Sequence, residues 1–311
     1  MQVLGIDAGG TKTVCLLADG NGTIIAQSRG GGANLQAVGE LEVEKVLHQV
    51  MDAVLSDTDV HPAAICLGIA GVDRPDDSQV VRGIMRRIGF KTPTVVVNDA
   101  LVALAAGAGD SPGVVVIAGT GSIAYGRNAG GRAARAGGWG YLLGDEGGGF
   151  WIGRAALSAV VRQFDGRGPA TRLTDLVLAQ MQLSDPTELV HQVYYRDVQR
   201  HSIAAIASLV QQAAAEGDAV ASEILSRAGT ELASAASSVI TRLGMRGEAF
   251  PIVLSGGIFR GVPWLVDTVT TRLVETAPRS EARLLDVEPA VGAVRLAIAA
   301  ASGTLTIPAY T

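Results

Sequence analysis

The sequence VLGIDAGGTKT, residues 3–13, decides the fold of this chain of 311 residues. An apolar strand ends at Asp7, and a turn of Gly9, Gly10 and Thr11 leads into a second apolar strand. Because glycine has no Cβ, the backbone N–H groups of such a turn can approach an anion closely. Asp7 would place a carboxylate beside that anion, which indicates a cation such as Mg²⁺ between them. An ordinary glycine hairpin is the alternative interpretation.

A second copy of this pattern occurs at residues 114–122, VVVIAGTGS, where an apolar strand again enters a glycine–threonine turn. The candidate anion-binding residues of this copy are Gly119, Thr120, Gly121 and Ser122. Thr11 and Thr120 lie 109 residues apart, a spacing typical of one duplicated domain. Two such turns, one from each of two related lobes, predict a nucleotide in the cleft between the lobes.

Composition limits the remaining possibilities. Hydrophobic residues make up 48% of the chain and charged residues 18%, enough for a core in each of roughly two domains. The net charge of −5 and an aromatic content of 4% argue against a nucleic-acid partner. Cys15 and Cys66 fall in apolar runs without metal-ligand spacing, so we expect buried, reduced thiols and a cytoplasmic protein. We also expect no leader segment and no membrane contact.

Apolar periodicity and Gly/Pro breaks predict three strands followed by alternating strands and helices, twice over. For the first copy we predict strands at 3–7, 13–18, 23–28, 64–69 and 94–98, with helices at 40–55, 77–88 and 100–108. For the second copy we predict strands at 114–118, 123–127, 132–136, 251–255 and 283–287, a helical insertion at about 150–244, and helices at 263–276 and 290–302. The predicted α/β fold has an N-terminal lobe at 1–112, joined by a C-terminal helix within 290–311, and a C-terminal lobe at 113–289.

Asp99 is the leading catalytic candidate. It follows the apolar strand that ends in Val97 and Asn98, where a helix begins. A carboxylate at the carboxyl end of a parallel strand points into the ligand crevice, although Asp is also a common helix N-cap. A kinase of this layout needs one carboxylate to orient and deprotonate the acceptor hydroxyl, and Asp99 is the best placed.

Three further segments are candidate binding loops. The sequence GGWGYLLGDEGGG, residues 137–149, carries Asp145 in a glycine-rich loop that suits binding of hydroxyl groups, or else is only a flexible connection. Asn34 follows the third strand and offers both a donor and an acceptor, or is a simple turn residue. Gly256 and Gly257 form another strand-to-helix turn, against which adenosine could lie.

Taken in order, these motifs resemble the BadF/BadG/BcrA/BcrD ATPase family, within the actin-like superfold of sugar kinases and heat-shock ATPases. Within that family the chain is similar to N-acetylglucosamine kinases, and the resemblance covers essentially the whole chain. It implies a duplicated actin-like, ribonuclease H-like ATPase fold, ATP with Mg²⁺ in the interlobe cleft, phosphorylation of a sugar 6-hydroxyl, and a homodimer.

The resemblance also implies roles for individual residues. Asp7 would act on Mg²⁺ through water, and Asp99 would be the general base. The first turn with Lys12, and the second turn, would contact the ATP phosphates. Residues implied to line the sugar are Asn34, Asp99, Gly138, Trp139, Gly140 and Asp145. Residues implied to pack around adenosine are Gly217, Gly256, Gly257 and Gly261.

Other functions stay open at this point. Leu35 and Gln36 stand where animal members of the kinase group carry a Trp near the acetamido pocket, which keeps free glucosamine as an alternative substrate. An ATPase activator of a reductase or dehydratase would need loop cysteines for an iron–sulfur cluster. A scaffold or regulator is the third alternative, and the sequence offers no DNA-binding module before the first strand.

Overall fold

The computed structural model describes residues 1–56, 60–72, 74–195 and 199–310. The first part contains β1 (Gln2–Ala8), β2 (Lys12–Asp19), β3 (Ile24–Gly31), α1 (Leu35–Leu55), β4 (Ala64–Ile69), α2 (Pro75–Arg87), β5 (Thr94–Asn98) and α3 (Asp99–Ala108). The second part begins with β6 (Gly113–Ala118), β7 (Ser122–Arg127) and β8 (Arg132–Gly137). A helical region follows with α4 (Gly149–Phe164), α5 (Leu173–Met181), α6 (Glu188–Tyr195), α7 (Arg200–Ala205), α8 (Ala207–Ala215) and α9 (Ala219–Arg242). The chain continues with β9 (Pro251–Ser255), α10 (Gly257–Gly261), α11 (Pro263–Leu273), β10 (Glu281–Leu284), α12 (Ala290–Ala301) and β11 (Ala309–Tyr310).

The two sheets repeat one strand order. The first sheet runs β3-β2-β1-β4-β5, and the second contains β8-β7-β6-β9-β10 with β11 added beside β8. In each sheet the first two hairpins are antiparallel and the later strands are parallel. The carboxyl ends of β1, β4 and β5 therefore meet at one edge of the first sheet, and those of β6, β9 and β10 meet at the matching edge of the second.

Helices α3 and α12 lie between the two sheets and form a shared central core. Helix α12 packs against β1, β2 and β4, while α3 packs against β6, β7 and β9 as well as β4 and β5. The approach is close because glycines stand at the contacts: a Cβ on Gly5 would lie 2.4 Å from the backbone nitrogen of Val294, and one on Gly292 would lie 1.9 Å from the carbonyl oxygen of Val102. Each repeat thus contributes its last helix to the layer between the sheets.

Two further cores cover the outer faces. Helices α1 and α2 cover the first sheet, with Leu4, Ile6 and Cys15 facing them. The helical region from α4 to α9 and helix α11 cover the second sheet. Side chains along β1 alternate between the outer core and the central layer. Leu4 and Ile6 face the outer core, while Gly5 and Asp7 face the central layer.

Several element boundaries differ from the sequence-based prediction, and one short helix was missed. Helix α1 begins at Leu35 rather than near 40, because the Asn34 side chain accepts from the backbone N–H of Ala37 and the helix kinks at Gly39 (φ 78°). Strand β10 ends at Leu284 rather than 287. The short helix α10 was not predicted.

The last helix ends close to the predicted residue 302 and does not extend to 311, so only the first half of the segment 290–311 is helical. Helix α12 ends at Ala301, followed by Gly303 at φ 71°, a left-handed conformation typical of a residue just beyond a helix. The chain then returns to the second sheet, where β11 pairs in parallel with β8. Thr311 lies outside the described residues.

Candidate active site

The first glycine–threonine turn joins β1 to β2 and is held by the loop after β3. The N–H of Gly9 donates to the carbonyl of Lys12 at 3.0 Å, and the carbonyl of Gly9 accepts from the N–H of Ala33, also at 3.0 Å. Gly32 packs directly on this turn, since a Cβ there would lie 2.3 Å from the carbonyl oxygen of Gly10. The loop after β3 therefore holds the turn in place, while Gly10 and Thr11 remain exposed at the gap between the sheets.

We expect Gly32→Ala to damage this turn, because the new methyl group would force the backbone of Gly10 to move. Overpacking of this kind costs about 1–3 kcal/mol. The expected result is a lower melting temperature together with weaker nucleotide binding, measured by thermal unfolding and by titration with MgATP. Gly31→Ala is the matched control, because a Cβ on Gly31 meets nothing within 4 Å. Equal behaviour of the two variants would contradict the tight contact between Gly32 and the turn.

The second glycine–threonine turn joins β6 to β7 and is tied to the start of α4. The N–H of Gly119 donates to the carbonyl of Gly121 at 2.9 Å and closes the turn. The N–H of Gly149 donates to the carbonyl of Gly119 at 2.8 Å, and that of Phe150 donates to the carbonyl of Thr120 at 2.9 Å. Hydrogen bonds thus join the turn directly to the first residues of α4.

The two turns face each other across the gap. The hydroxyl oxygens of Thr11 and Thr120 lie 3.4 Å apart, although the residues come from different sheets. Hydroxyl groups from both turns therefore lie side by side, so one bound anion can accept hydrogen bonds from both turns.

Asp7 and Asp99 lie at the same edge of the first sheet, where β1 and β5 end. In the sheet register Asp7 pairs with Gly68 of β4, and Gly68 pairs with Val97 of β5, two residues before Asp99. Burial and the negative charge of Asp99 raise the pKa of Asp7 to about 8. A buried carboxylate that also interacts with a second negative charge favours either a bound proton or a bound cation.

Asp99 is not the N-cap of α3. That position belongs to Asn98, whose side-chain oxygen accepts from the N–H of Ala100 at 2.8 Å. Asp99 is the first helical residue and is half-buried. The structure therefore assigns the capping role to Asn98 and leaves another explanation to be found for the carboxylate of Asp99.

Two charged residues near the first turn were missed in the sequence. Glu288, just before α12, accepts from Lys12 Nζ at 2.8 Å and from Arg29 Nη2 at 2.8 Å. The internal repeat carried a signal for it, because Asp99 and Glu288 each stand between the last strand of a repeat and the helix that follows. Arg29 lies in the middle of β3 and had no signal of its own.

The glycine-rich loop before α4 places Asp145 against the second turn. Its Oδ1 accepts from the N–H of Gly140 at 3.2 Å, and a Cβ on Gly121 would lie 2.3 Å from its Oδ2. Asp145 has a φ of 61°, a left-handed conformation that is uncommon outside glycine and that marks functional sites when the surroundings enforce it. Burial raises the pKa of Asp145, and the backbone N–H groups of Gly140 and Ser122 oppose that shift.

Other predicted sugar-lining residues lie on both sides of the gap. Asn34 caps α1 and contacts the loop after β4, since a Cβ on Gly71 would lie 3.0 Å from its Oδ1. Trp139 is 61% exposed, with the Arg135 guanidinium 5.0 Å from its ring centre. Gly138 and Gly140 have positive φ angles of 70° and 85° and shape the loop around Trp139.

The predicted adenosine-side glycines occupy two places. Gly256 has a φ of 108° and lies against β6, where a Cβ would come within 2.2 Å of the Ala118 carbonyl oxygen. Gly257 and Gly261 begin and end α10 and leave open space beside them. Gly217 follows α8 at a φ of 87°, next to Asp218, which caps α9.

Other sequence features take no part in the gap. Cys15 and Cys66 are buried and unbonded, as predicted, on opposite faces of the first sheet. No cluster of metal-ligating side chains is found among the described residues. Within the same part of the chain, no helix has both the length and the apolar character needed to cross a bilayer.

Two sheets of one strand order, with a glycine–threonine turn from each meeting at the gap between them, define an actin-like, ribonuclease H-like ATPase fold. Comparison with known families agrees with this class. The model of the BadF/BadG/BcrA/BcrD ATPase family matches residues 4–297. The chain belongs to that family.

The chain is similar to curated sugar kinases over almost its whole length. An N-acetylmuramic acid/N-acetylglucosamine kinase of Clostridium acetobutylicum is 34% identical, over 95% of this chain and 97% of the relative. An N-acetyl-D-glucosamine kinase of Dictyostelium discoideum is 35% identical, with the same two coverages of 95% and 97%. The crystal structure of a proposed N-acetylglucosamine kinase from Chromobacterium violaceum matches with a TM-score of 0.76 and 27% identity, covering 94% of this chain and 97% of that one.

Proposed function

We propose that this chain is an ATP-dependent kinase that phosphorylates the 6-hydroxyl of N-acetylglucosamine. The observation that carries the proposal is the 3.4 Å distance between the Thr11 and Thr120 hydroxyls, together with the electrostatic interaction of Asp7, at the end of β1, with Asp99. Such an arrangement suits a polyphosphate and leaves one carboxylate for the acceptor alcohol. The curated relatives over the same length supply the amino-sugar class.

In this proposal ATP lies between the two sheets, with its phosphates against the glycine–threonine turns and Lys12. Backbone N–H groups and threonine hydroxyls at both turns stabilise the charge that develops on the transferred phosphoryl group. The adenosine lies beside Gly256 and Gly257, with Gly217 and Gly261 nearby. The phosphate-contacting residues of the second turn are Gly119, Thr120, Gly121 and Ser122.

The residues also suit Mg²⁺. Asp7 is 8% exposed and its carboxylate is destabilised by burial and by Asp99, so a divalent cation would relieve an unfavourable charge there. We propose that Asp7 holds the metal through water. A bound Mg²⁺ would neutralise charge on the phosphates, while the protein itself provides the orientation.

Asp99 is the proposed general base. It would accept the proton of the sugar 6-hydroxyl as that oxygen attacks the terminal phosphate. Asn34, Asp145 and the Trp139 loop would hold the other sugar groups from opposite sides of the gap, and closure of the gap would exclude water and align the reacting atoms. We further propose the lobe division at 112 and 113, with residues 290–301 packed on the first lobe.

The activator alternative fits the cysteines poorly. Cys15 and Cys66 are both buried and point to opposite faces of one sheet, so they cannot share an iron–sulfur cluster at the surface. Glucosamine remains the rival substrate within the kinase interpretation.

A panel of sugars tests the proposal. Purified protein is assayed with MgATP against N-acetylglucosamine, glucosamine, N-acetylmannosamine, N-acetylmuramic acid and glucose, by coupling ADP release to NADH oxidation. We expect the highest kcat/KM with N-acetylglucosamine and a product phosphorylated at C6 by ³¹P NMR. 6-Deoxy-N-acetylglucosamine is the matched control, which should inhibit without turnover. ATP hydrolysis that no sugar stimulates would overturn the kinase assignment, and a preference for glucosamine would overturn the substrate.

A further inference from the structure

Glu288 links three parts of the chain beside the first turn. Its side chain is 26% exposed, and its two carboxylate oxygens accept from Lys12 at the start of β2 and from Arg29 in β3. The partners lie 276 and 259 residues away in sequence. We call this set the Lys12–Glu288–Arg29 triad.

The triad is not a simple surface ion pair. Burial raises the pKa of Glu288, but the hydrogen bonds and charges of Lys12 and Arg29 outweigh this effect and hold the pKa below its ordinary value. Glu288 therefore stays charged at neutral pH. Its charge also reaches the metal-side carboxylate, since Glu288 contributes to the raised pKa of Asp7.

The Lys12 ammonium group needs a partner such as Glu288 to stay in one position beside the first turn. A lysine side chain has four rotatable bonds, and fixing it costs up to about 2 kcal/mol of rotamer entropy. The Lys12 side chain is 45% exposed, and the residue directly before it is Thr11. A fixed carboxylate 2.8 Å away restricts the ammonium group to the edge of the turn before any nucleotide arrives.

The internal repeat places Glu288 at a position similar to that of Asp99. Asp99 begins the helix after β5, and Glu288 stands just before the helix after β10, so both carboxylates occupy the crossing point from sheet to central layer. In the first repeat this position faces the acceptor side of the site. In the second repeat its oxygens are occupied by two cations, which suits a residue that acts through Lys12 and does not touch substrate.

We propose that Glu288 is a positioning residue that holds the Lys12 ammonium beside the first glycine–threonine turn for contact with the ATP phosphates. The inference rests on the proposed kinase function. Glu288 makes no contact with the reacting atoms in this scheme, and Arg29 fixes the second oxygen of its carboxylate.

A double-mutant cycle tests the proposal with Glu288→Gln, Lys12→Met and the double variant. We expect Glu288→Gln to lower kcat/KM for MgATP about tenfold, with little change in KM for the sugar or in melting temperature. In the Lys12→Met background the same substitution should have no further effect, because its target is gone. Binding of a non-hydrolysable ATP analogue, followed by calorimetry, should weaken in the same pattern.

Two further variants separate this role from general stability. Glu44→Gln is the matched control, since Glu44 is 27% exposed and pairs with Arg87 away from the gap, and its activity should equal that of the wild type. Arg29→Met should have a smaller effect than Glu288→Gln. An unchanged Glu288→Gln enzyme, or an equal loss in both Lys12 backgrounds, would overturn the positioning role. Wild-type protein that binds no ATP analogue would instead overturn the proposed function itself.

Discussion

Asp99→Asn should lower kcat by about 10²–10⁴, the range for loss of a general base. Asparagine keeps the size of the side chain and lets Asn98 continue to cap α3, so the fold should be retained. The substitution removes the group that takes the proton of the sugar hydroxyl. Steady-state assays with saturating MgATP and N-acetylglucosamine measure kcat, and calorimetry with an ATP analogue measures whether nucleotide affinity is kept.

Asp76→Asn is the control for this experiment. Asp76 is also an acidic residue in the first turn of a helix, α2, and its side chain is exposed. Its removal tests the general effect of losing a carboxylate from a helix N-terminus. Near-normal turnover by Asp99→Asn, or an equal loss in Asp76→Asn, would refute the assignment of Asp99 as base.

Asp7→Asn should separate stability from activity. Turnover should fall about 10²–10³-fold, because asparagine brings no charge to the metal and phosphate region. The protein without nucleotide and Mg²⁺ should become more stable, because the wild type buries a carboxylate that folding keeps protonated up to a pKa of about 8.

The pH dependence of this gain follows from the direction of the shift. The pKa of Asp7 rises from an ordinary 3.8 to about 8 on folding, so between these values the folded protein binds a proton that the unfolded chain has lost. Stability of the wild type therefore falls as pH rises toward 8, and the contribution of Asp7 becomes constant above it. The advantage of Asp7→Asn should grow from pH 6 to pH 8 and level off at a value on the order of 5 kcal/mol.

Urea unfolding at pH 6, 7, 8 and 9 in the absence of Mg²⁺ and nucleotide measures this difference. Asp19→Asn is the control with the opposite sign, because backbone N–H groups at Thr23 and Asn21 lower the pKa of that exposed carboxyl. Its effect on stability should not change between pH 6 and 9. A constant difference between Asp7→Asn and wild type over the same range would show that Asp7 is charged in the folded protein.

The fold could be predicted from the sequence because each repeat begins with a pattern of consecutive residues. An apolar strand, a glycine–threonine turn and a second strand are consecutive, so their spacing is visible without any knowledge of packing. The second threonine 109 residues later identified the duplication, and the structure places its hydroxyl beside the first. The strand order of both sheets follows from that repeat.

What could not be predicted depends on contacts between distant segments. Glu288 meets Lys12 across 276 residues, and nothing near either residue indicates the pair. The start of α1 was placed too late because Gly39 interrupts the helical pattern, and the helix begins before that kink at the Asn34 cap. The return of β11 to the second sheet involves two residues without apolar periodicity, too short a segment for any pattern.

The crossing of α3 and α12 has a consequence for how the molecule is made. The inner face of the first sheet is covered largely by residues 290–301, which follow the whole second repeat in the chain. Gly5 and its neighbours therefore have no helix to pack against until the second repeat has been synthesised, and part of the inner face of the first sheet stays open during that time. A fragment ending at residue 112 would keep α3 but lack α12, so the surface around Gly5 would stay exposed although the fragment contains a complete sheet.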